Sequence, residues 1–315
     1  MAAGAPAGGG VVSGERRLAI GSLVLRNPVL TASGTCGYGL ELARYFDIAV
    51  LGGICTKGLS LEPRAGNPPP RVCETPAGML NSIGLANVGV EAFLAEKLPR
   101  LQAAGATVIA NVLGTTPAEF ERLARKLDGR PGLHALELNL SCPNVREGGL
   151  RLGTDPGRVR EAVAAARGAT RLPLVAKLSP ETADIGALAR AAAEGGADAV
   201  SVMNTIRGMA IDVRTRRPRL GNGIGGLSGP AIRPLAVRLV FEASRAVPIP
   251  VIGVGGVARW EDAVELMLAG ATAVQVGSAS FVNPRAPLDV LVGLDAYCKE
   301  QQIAYADLVG AVCLD

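Results

Sequence analysis

The chain has 315 residues, 49% of them hydrophobic but only 3% aromatic, so its core must be built from Ala, Val, Leu and Ile. A formal charge of +4 from scattered basic residues argues against a nucleic-acid surface, though it suits small anions. One histidine, His134, and six cysteines without a CxxC pair exclude a His-rich metal site and argue against an internal zinc or iron–sulfur centre.

The first fourteen residues are rich in Ala and Gly, with neither a basic cluster nor a Leu-rich run, unlike a signal peptide. Residues 1–15 are expected to form a flexible tail ahead of one domain spanning 16–315. A hairpin is expected at 16–25, where apolar and polar residues alternate across Gly21-Ser22, lying below the barrel that the later strands form. Strands are then predicted at 29–32, 48–56, 107–113, 135–141, 174–178, 199–204, 250–254 and 273–276. Between them, Thr116-Pro117, Asp155-Pro156 and Pro180-Glu181 open helices running to Leu127, Arg167 and Glu194, each with Pro where a first turn tolerates it. Eight strand–helix units argue for a closed (β/α)8 TIM barrel over an open sheet. Residues 58–88, with Pro63, Pro68, Pro69, Pro70 and Pro76, lack a helical period and read as a long active-site loop. Residues 207–228 read as a lid or an added hairpin. The uncharged runs 101–118 and 266–284 approach membrane-span length, but Gly, Pro, Gln, Asn and Thr interrupt them, so both read as barrel elements. Free thiols in a reducing cytoplasm are the simplest reading of the cysteines.

Side chains at the C-terminal ends of barrel strands face the active site. There stand Ser33 and Thr35, Lys57, Asn111, Asn139 and Cys142, Lys177, Asn204 and Thr205, Gly255-Gly256, and Gly277-Ser278. Asn and Lys are poor strand residues, so this recurrence points away from structural filler. The glycines at the seventh and eighth strand ends suit a phosphate, as in many sugar-phosphate barrels, and lack Rossmann GxGxxG spacing. Lys177 has three readings: a cation beside the N1–C2=O edge of a flavin, a barrel-mouth ion pair, or a Schiff-base lysine. Asn111 and Asn139 offer donors and acceptors to a flat heterocycle. In Asn139-Leu140-Ser141-Cys142-Pro143-Asn144, Pro143 biases Cys142 toward extended backbone and holds the thiol on a rigid loop, placed to act as a base. Cys55 and Cys313 read as buried small hydrophobes.

With these residues assembled, the chain resembles the class 1 dihydroorotate dehydrogenases from about Leu18 to its last helices. The resemblance is carried by Ala32-Ser33-Gly34-Thr35, Thr56-Lys57-Gly58, Pro63-Arg64-x-Gly66-Asn67-Pro68, Asn81-Ser82-Ile83-Gly84-Leu85, Asn139 to Asn144, and Asn204-Thr205. Gly37-Tyr38-Gly39 and the Gly221–Gly229 stretch look like class 1B, the subclass that pairs with an iron–sulfur flavoprotein and delivers electrons to NAD. Leu59-Ser60, where Thr residues are expected, departs from the pattern. The resemblance implies one FMN held by Ser33, Lys57, Gly58, Asn111, Asn139, Lys177, Met203, Gly229, Gly255, Gly256, Gly277 and Ser278. Dihydroorotate is then held by Lys57, Asn81, Ser82, Ile83, Gly84, Leu85, Asn139, Asn204 and Thr205. Cys142 takes the C5 proton while the flavin accepts the C6 hydride, giving orotate for pyrimidine (UMP) synthesis, with no metal involved. FAD and a 2Fe–2S cluster are expected only on a partner subunit, docked on a homodimer core as a heterotetramer with two of each chain. No nucleic acid or membrane is expected as partner, and the location is cytoplasmic. The rivals are the fumarate-dependent class 1A enzymes and a dihydropyrimidine dehydrogenase-like FMN barrel. A binding barrel without catalysis is a further rival, against which the Cys142 loop argues.

Overall fold

The computed structural model describes residues 18–141 and 152–314. The tail expected at 1–15 and the loop bearing Cys142, Pro143 and Asn144 lie outside the described residues.

A short hairpin opens the fold, β1 (Ala19–Ile20) against β2 (Leu23–Val24). It turns at Gly21, where φ is +55°. Then come β3 (Val29–Thr31), β4 (Gly53–Cys55), β5 (Val72–Thr75), β6 (Gly78–Asn81), β7 (Val108–Leu113), β8 (Ala135–Asn139) and β9 (Leu174–Lys177). The chain goes on through β10 (Ala199–Val202), β11 (Ile206–Met209), β12 (Ile211–Asp212), β13 (Arg217–Pro218), β14 (Ile224–Ser228), β15 (Val251–Val254) and β16 (Ala271–Val276). Eight of these, β3, β4, β7, β8, β9, β10, β15 and β16, close a parallel barrel in that order. Each barrel strand falls within or beside an expected one. The expected strand 48–56 is the exception in length. Its first part is a one-turn helix (Ile48–Val50), capped by the Asp47 carboxylate accepting from the Ala49 N–H, and only Gly53–Cys55 pairs in the barrel.

Helix starts obey their capping chemistry. Thr116 and Asp155 each accept from a backbone N–H three residues on, so Pro117–Leu127 and Pro156–Arg167 start where Pro at the first turn predicts. The helix expected from Pro180-Glu181 instead starts at Ile185. The Asp184 carboxylate accepts from the Ala187 N–H at 2.9 Å and claims the cap, leaving 180–184 as a loop. These helices pack on the barrel's outer face, where alternate strand residues such as Val108, Ala110, Leu136, Leu138, Val200 and Val274 join one large buried cluster.

The inward-facing residues form two layers of different character. Toward the N-terminal ends, Leu30, Ile109, Ala135, Val175, Ala199, Ile252 and Ala273 make an apolar cluster plugged by Ile20 and Leu25 of the opening hairpin. That hairpin therefore seals the barrel floor. One strand period higher the interior turns polar, with Asn111, Glu137, Lys177, Ser201 and Gln275 all buried.

Residues 58–88, read as a loop, contain the β5–β6 hairpin, while 207–228, read as a lid or an added hairpin, contain the antiparallel β12–β13 pair and β14. They meet over the barrel mouth in one four-stranded antiparallel sheet, β11-β14-β6-β5. The Pro-rich stretch hides this hairpin from a periodicity reading because its partner strand lies well over a hundred residues away.

Candidate active site

The barrel mouth holds a cavity of about 450 Å³, within the size range of cofactor and ligand pockets. All twelve residues singled out for flavin line it: Ser33, Lys57, Gly58, Asn111, Asn139, Lys177, Met203, Gly229, Gly255, Gly256, Gly277 and Ser278. Asn81, Ile83, Leu85, Asn204 and Thr205 line it as well, whereas Ser82 and Gly84 face an adjoining cavity of about 490 Å³. The two spaces share Asn81, Ile83, Leu85 and Thr205, so the 81–85 loop stands as a partition between them. Ser141 and Gly153 line the second space. How Cys142 itself sits is outside the described residues.

The loop is braced from behind by Asn67, whose side-chain amide donates to Ser82 Oγ at 2.9 Å and whose N–H donates to the Ile83 carbonyl at 3.1 Å. Leu85 is held at φ +59°, a left-handed conformation that a branched side chain rarely adopts. Across the cavity, Asn204 Nδ2 donates to Ser141 Oγ and reaches Asn139 Oδ1 at 3.5 Å, while Asn204 Oδ1 accepts from the Thr205 N–H at 2.8 Å. Four polar residues from the ends of two strands are thus tied together.

Two glycines show a close-approach surface. Gly229 has φ +100°, and a Cβ there would stand 2.6 Å from Gly78 Cα; Gly256 has φ +77°, and a Cβ there would stand 2.6 Å from Arg233 Cβ. Neither place tolerates a side chain. Gly256 precedes the helix Trp260–Leu268, whose entry is fixed by the Asp262 carboxylate accepting from the N–H groups of Ala258 and Arg259, each at 2.9 Å. Arg233 pairs with both Asp262 and Glu265, which anchors the backbone beside this cradle.

The electrostatics are set by two lysines. Lys57 lies half-buried in the wall; burial and the nearby positive Arg71 lower its pKa from the ordinary lysine value, and Glu41 offsets them in part. Lys177 is almost wholly buried, with Nζ 3.4 Å from Ser33 Oγ and 3.7 Å from Glu137 Oε1. Of its three sequence readings, the ion pair is present, and it lies inside the flavin-sized cavity. The Glu137 carboxylate is fully buried. Burial pushes its pKa up, but Lys177 and hydrogen bonds from Gln275, Cys55 and Asn111 outweigh that and hold it below the usual carboxylate range.

Glu137 and Gln275 are the site residues that the sequence reading missed, and a signal for them existed. In Ala135-Leu136-Glu137-Leu138-Asn139 a charge sits within an apolar strand, in the same alternation as Asn139; Gln275 stands likewise between Ala273 and Gly277. A charge there must be paired or be part of a site. Cys55 is buried as expected, yet it is more than filler, since its thiol donates to Glu137 at 3.1 Å. Cys313 is exposed, because it lies in the last few residues beyond the final helical turn. Burial raises Cys36 to about 11 and Cys55 well above its usual value, so neither furnishes a thiolate base at neutral pH. Cys73, Cys298 and Cys313 line neither cavity. The departure at Leu59-Ser60 is benign: Leu59 is buried and Ser60 is bonded to Asn87 and Glu62.

A planar, polar-edged cofactor with a phosphate tail fits this cavity on its own chemistry. The glycines put side-chain-free backbone on the cavity wall, and two wall residues, Asn111 and Gln275, each keep a buried amide oxygen without a hydrogen-bond partner. Among the described residues no helix is long and apolar enough to cross a membrane.

A family model described as dihydroorotate dehydrogenase matches residues 18–297. A protein of Trichlorobacter lovleyi called dihydroorotate dehydrogenase B (NAD(+)), catalytic subunit, is 55% identical over 93% of this chain and 97% of its own length. Proteins of the same description from Pelobacter propionicus and Desulforudis audaxviator are each 53% identical, over 93% of this chain and 97% and 96% of theirs. The chain belongs to the dihydroorotate dehydrogenase family.

Proposed function

We propose that this chain is the catalytic subunit of a class 1B enzyme that oxidises dihydroorotate to orotate in pyrimidine synthesis, with NAD as final electron acceptor. The observation that carries the reading is the single cavity on which both lysines, the asparagines and the cradle glycines converge. The description shared by the relatives supports the subclass. FMN is the cofactor of this reading, and bound there it supplies the hydride acceptor.

The chain's own residues do the rest. Gly229, Gly255, Gly256, Gly277 and Ser278 cradle the phosphate with backbone N–H groups, helped by the N-terminus of the helix Trp260–Leu268. Lys177 holds a positive charge at the ring, and Ser33, Gly58, Asn111, Asn139 and Met203 complete its walls. Lys57 pairs with the substrate carboxylate, and the positive Arg71 nearby adds to the attraction. Asn81, Asn139, Asn204 and Thr205 hold the amide edges of the substrate ring, with the 81–85 loop closing over it. Cys142 removes the C5 proton as a thiolate. Fixing the substrate in this geometry is the main catalytic device.

The electrons leave through a separate subunit carrying FAD and a 2Fe–2S cluster, in a heterotetramer built on a homodimer of this chain. Cysteine usage supports this division of labour, since the sequence has no CxxC pair to hold a cluster of its own. The purified chain is expected to release one FMN on denaturation, and to pass electrons from dihydroorotate to dyes but only slowly to NAD. Rapid anaerobic reduction of fumarate would move it to class 1A, and rapid unaided reduction of NAD would remove the need for a partner.

A further inference from the structure

Beneath the flavin cavity, five donors converge on one carboxylate. Glu137 Oε1 accepts from Asn111 Nδ2 at 2.8 Å and from Cys55 Sγ at 3.1 Å, with Lys177 Nζ at 3.7 Å. Glu137 Oε2 accepts from Gln275 Nε2 at 2.8 Å and from Ser201 Oγ at 2.9 Å. An ionised carboxylate can only accept, so it dictates which end of each amide faces it. Flipping Asn111 or Gln275 would set oxygen against oxygen. Each amide therefore spends its NH2 on Glu137 and leaves its carbonyl oxygen over, buried and without a partner. Both residues line the cavity.

We infer that Glu137 is a positioning residue: by orienting Asn111 and Gln275 it builds a pair of hydrogen-bond acceptors in the cavity, matched to the ring N–H of an oxidised flavin. This rests on the flavin reading above. The oxidised isoalloxazine has one ring N–H, at N3, and buried acceptors left unpaired are unfavourable until such a donor arrives. Lys177 is held by the same carboxylate, so one buried charge organises both the acceptors and the cation.

The test strips the flavin from wild type, Glu137→Gln and Gln275→Met, and titrates each with FMN and with 3-methyl-FMN, whose N3 carries a methyl in place of hydrogen. Quenching of flavin fluorescence gives both affinities. Wild type is expected to prefer FMN by about tenfold or more, the size of one good hydrogen bond. In Glu137→Gln the new amide both donates and accepts, so Asn111 and Gln275 are free to turn. FMN affinity should then fall by about tenfold, and the preference for FMN should fall more than threefold from its wild-type ratio. A ratio kept within threefold, whether or not both affinities drop together, overturns the inference, because a packing role alone weakens both flavins alike. If Glu137→Gln does not fold, Gln275→Met decides by the same criterion. Wild type binding neither flavin would instead sink the flavin reading, while wild type binding both equally would sink only the acceptor site.

Discussion

Replacing Lys177 with Met removes the cation that faces Glu137 and leaves a carboxylate with no exposed surface and no counter-charge. Deleting one partner of a buried pair costs about 3–5 kcal/mol. Glu137 has an escape, which is to take up a proton, and this sets a ceiling on the cost. An unfolded Glu titrates near roughly 4.3, so holding it protonated at pH 7 costs about 3.7 kcal/mol, and at pH 5 only about 1 kcal/mol. In wild type the pKa of Glu137 is lowered, so its contribution is present above the unfolded value and is lost as pH falls through the folded one. In the variant the folded pKa is raised, so stability is intact below the unfolded value and drains away as pH rises. The gap between the proteins therefore opens with pH from about 4.3 upward, by about 1.4 kcal/mol per unit. Urea denaturation of the flavin-free proteins from pH 5 to 8 reads it without a contribution from bound ligand. Adding Glu137→Gln to the variant should recover most of the loss and flatten its pH dependence. A gap that does not change with pH would refute the reasoning, because the buried carboxylate would then not be its source.

Cys142→Ala should keep its flavin and bind orotate while the rate of flavin reduction by dihydroorotate falls by about 10²–10⁴, measured by anaerobic stopped flow. Cys142→Ser should regain rate chiefly at high pH, since a hydroxyl is the weaker acid; near-normal reduction in the Ala variant would remove Cys142 from the chemistry. Lys57→Met should raise the KM for dihydroorotate far more than it alters flavin content. Because burial and Arg71 lower the pKa of Lys57, the wild-type KM should climb below the pH at which an ordinary lysine would lose its proton; a KM flat to that pH would show that Lys57 does not hold the carboxylate.

The barrel was legible because its buried strands are short, most carry β-branched residues, and several are followed by a helix with its own start signal, as at Thr116-Pro117 and Asp155-Pro156. Where local chemistry competed, the boundaries moved: Asp184 outbid Pro180-Glu181 for the cap, and Asp47 turned the front of an expected strand into helix. The sheet over the mouth was not legible, because β6 pairs with β14 across nearly half of the chain and a Pro-rich stretch gives no period to read. At the site, the residues at strand ends stand out by type, as Lys57, Asn139 and Lys177 do. Glu137 hides one step lower, in the middle of a strand, where its meaning depends on what the neighbouring strands aim at it. Only the closed barrel brings Lys177, Gln275 and Ser201 to it.

The central claim is that dihydroorotate delivers its electrons to a flavin in the barrel mouth, and it is tested most directly by the visible spectrum of the purified holoprotein under anaerobic conditions. Added dihydroorotate should bleach the flavin bands stoichiometrically and yield orotate, with no partner subunit and no NAD present. A flavin spectrum that does not change on adding excess dihydroorotate, in protein shown to bind orotate, would contradict the account.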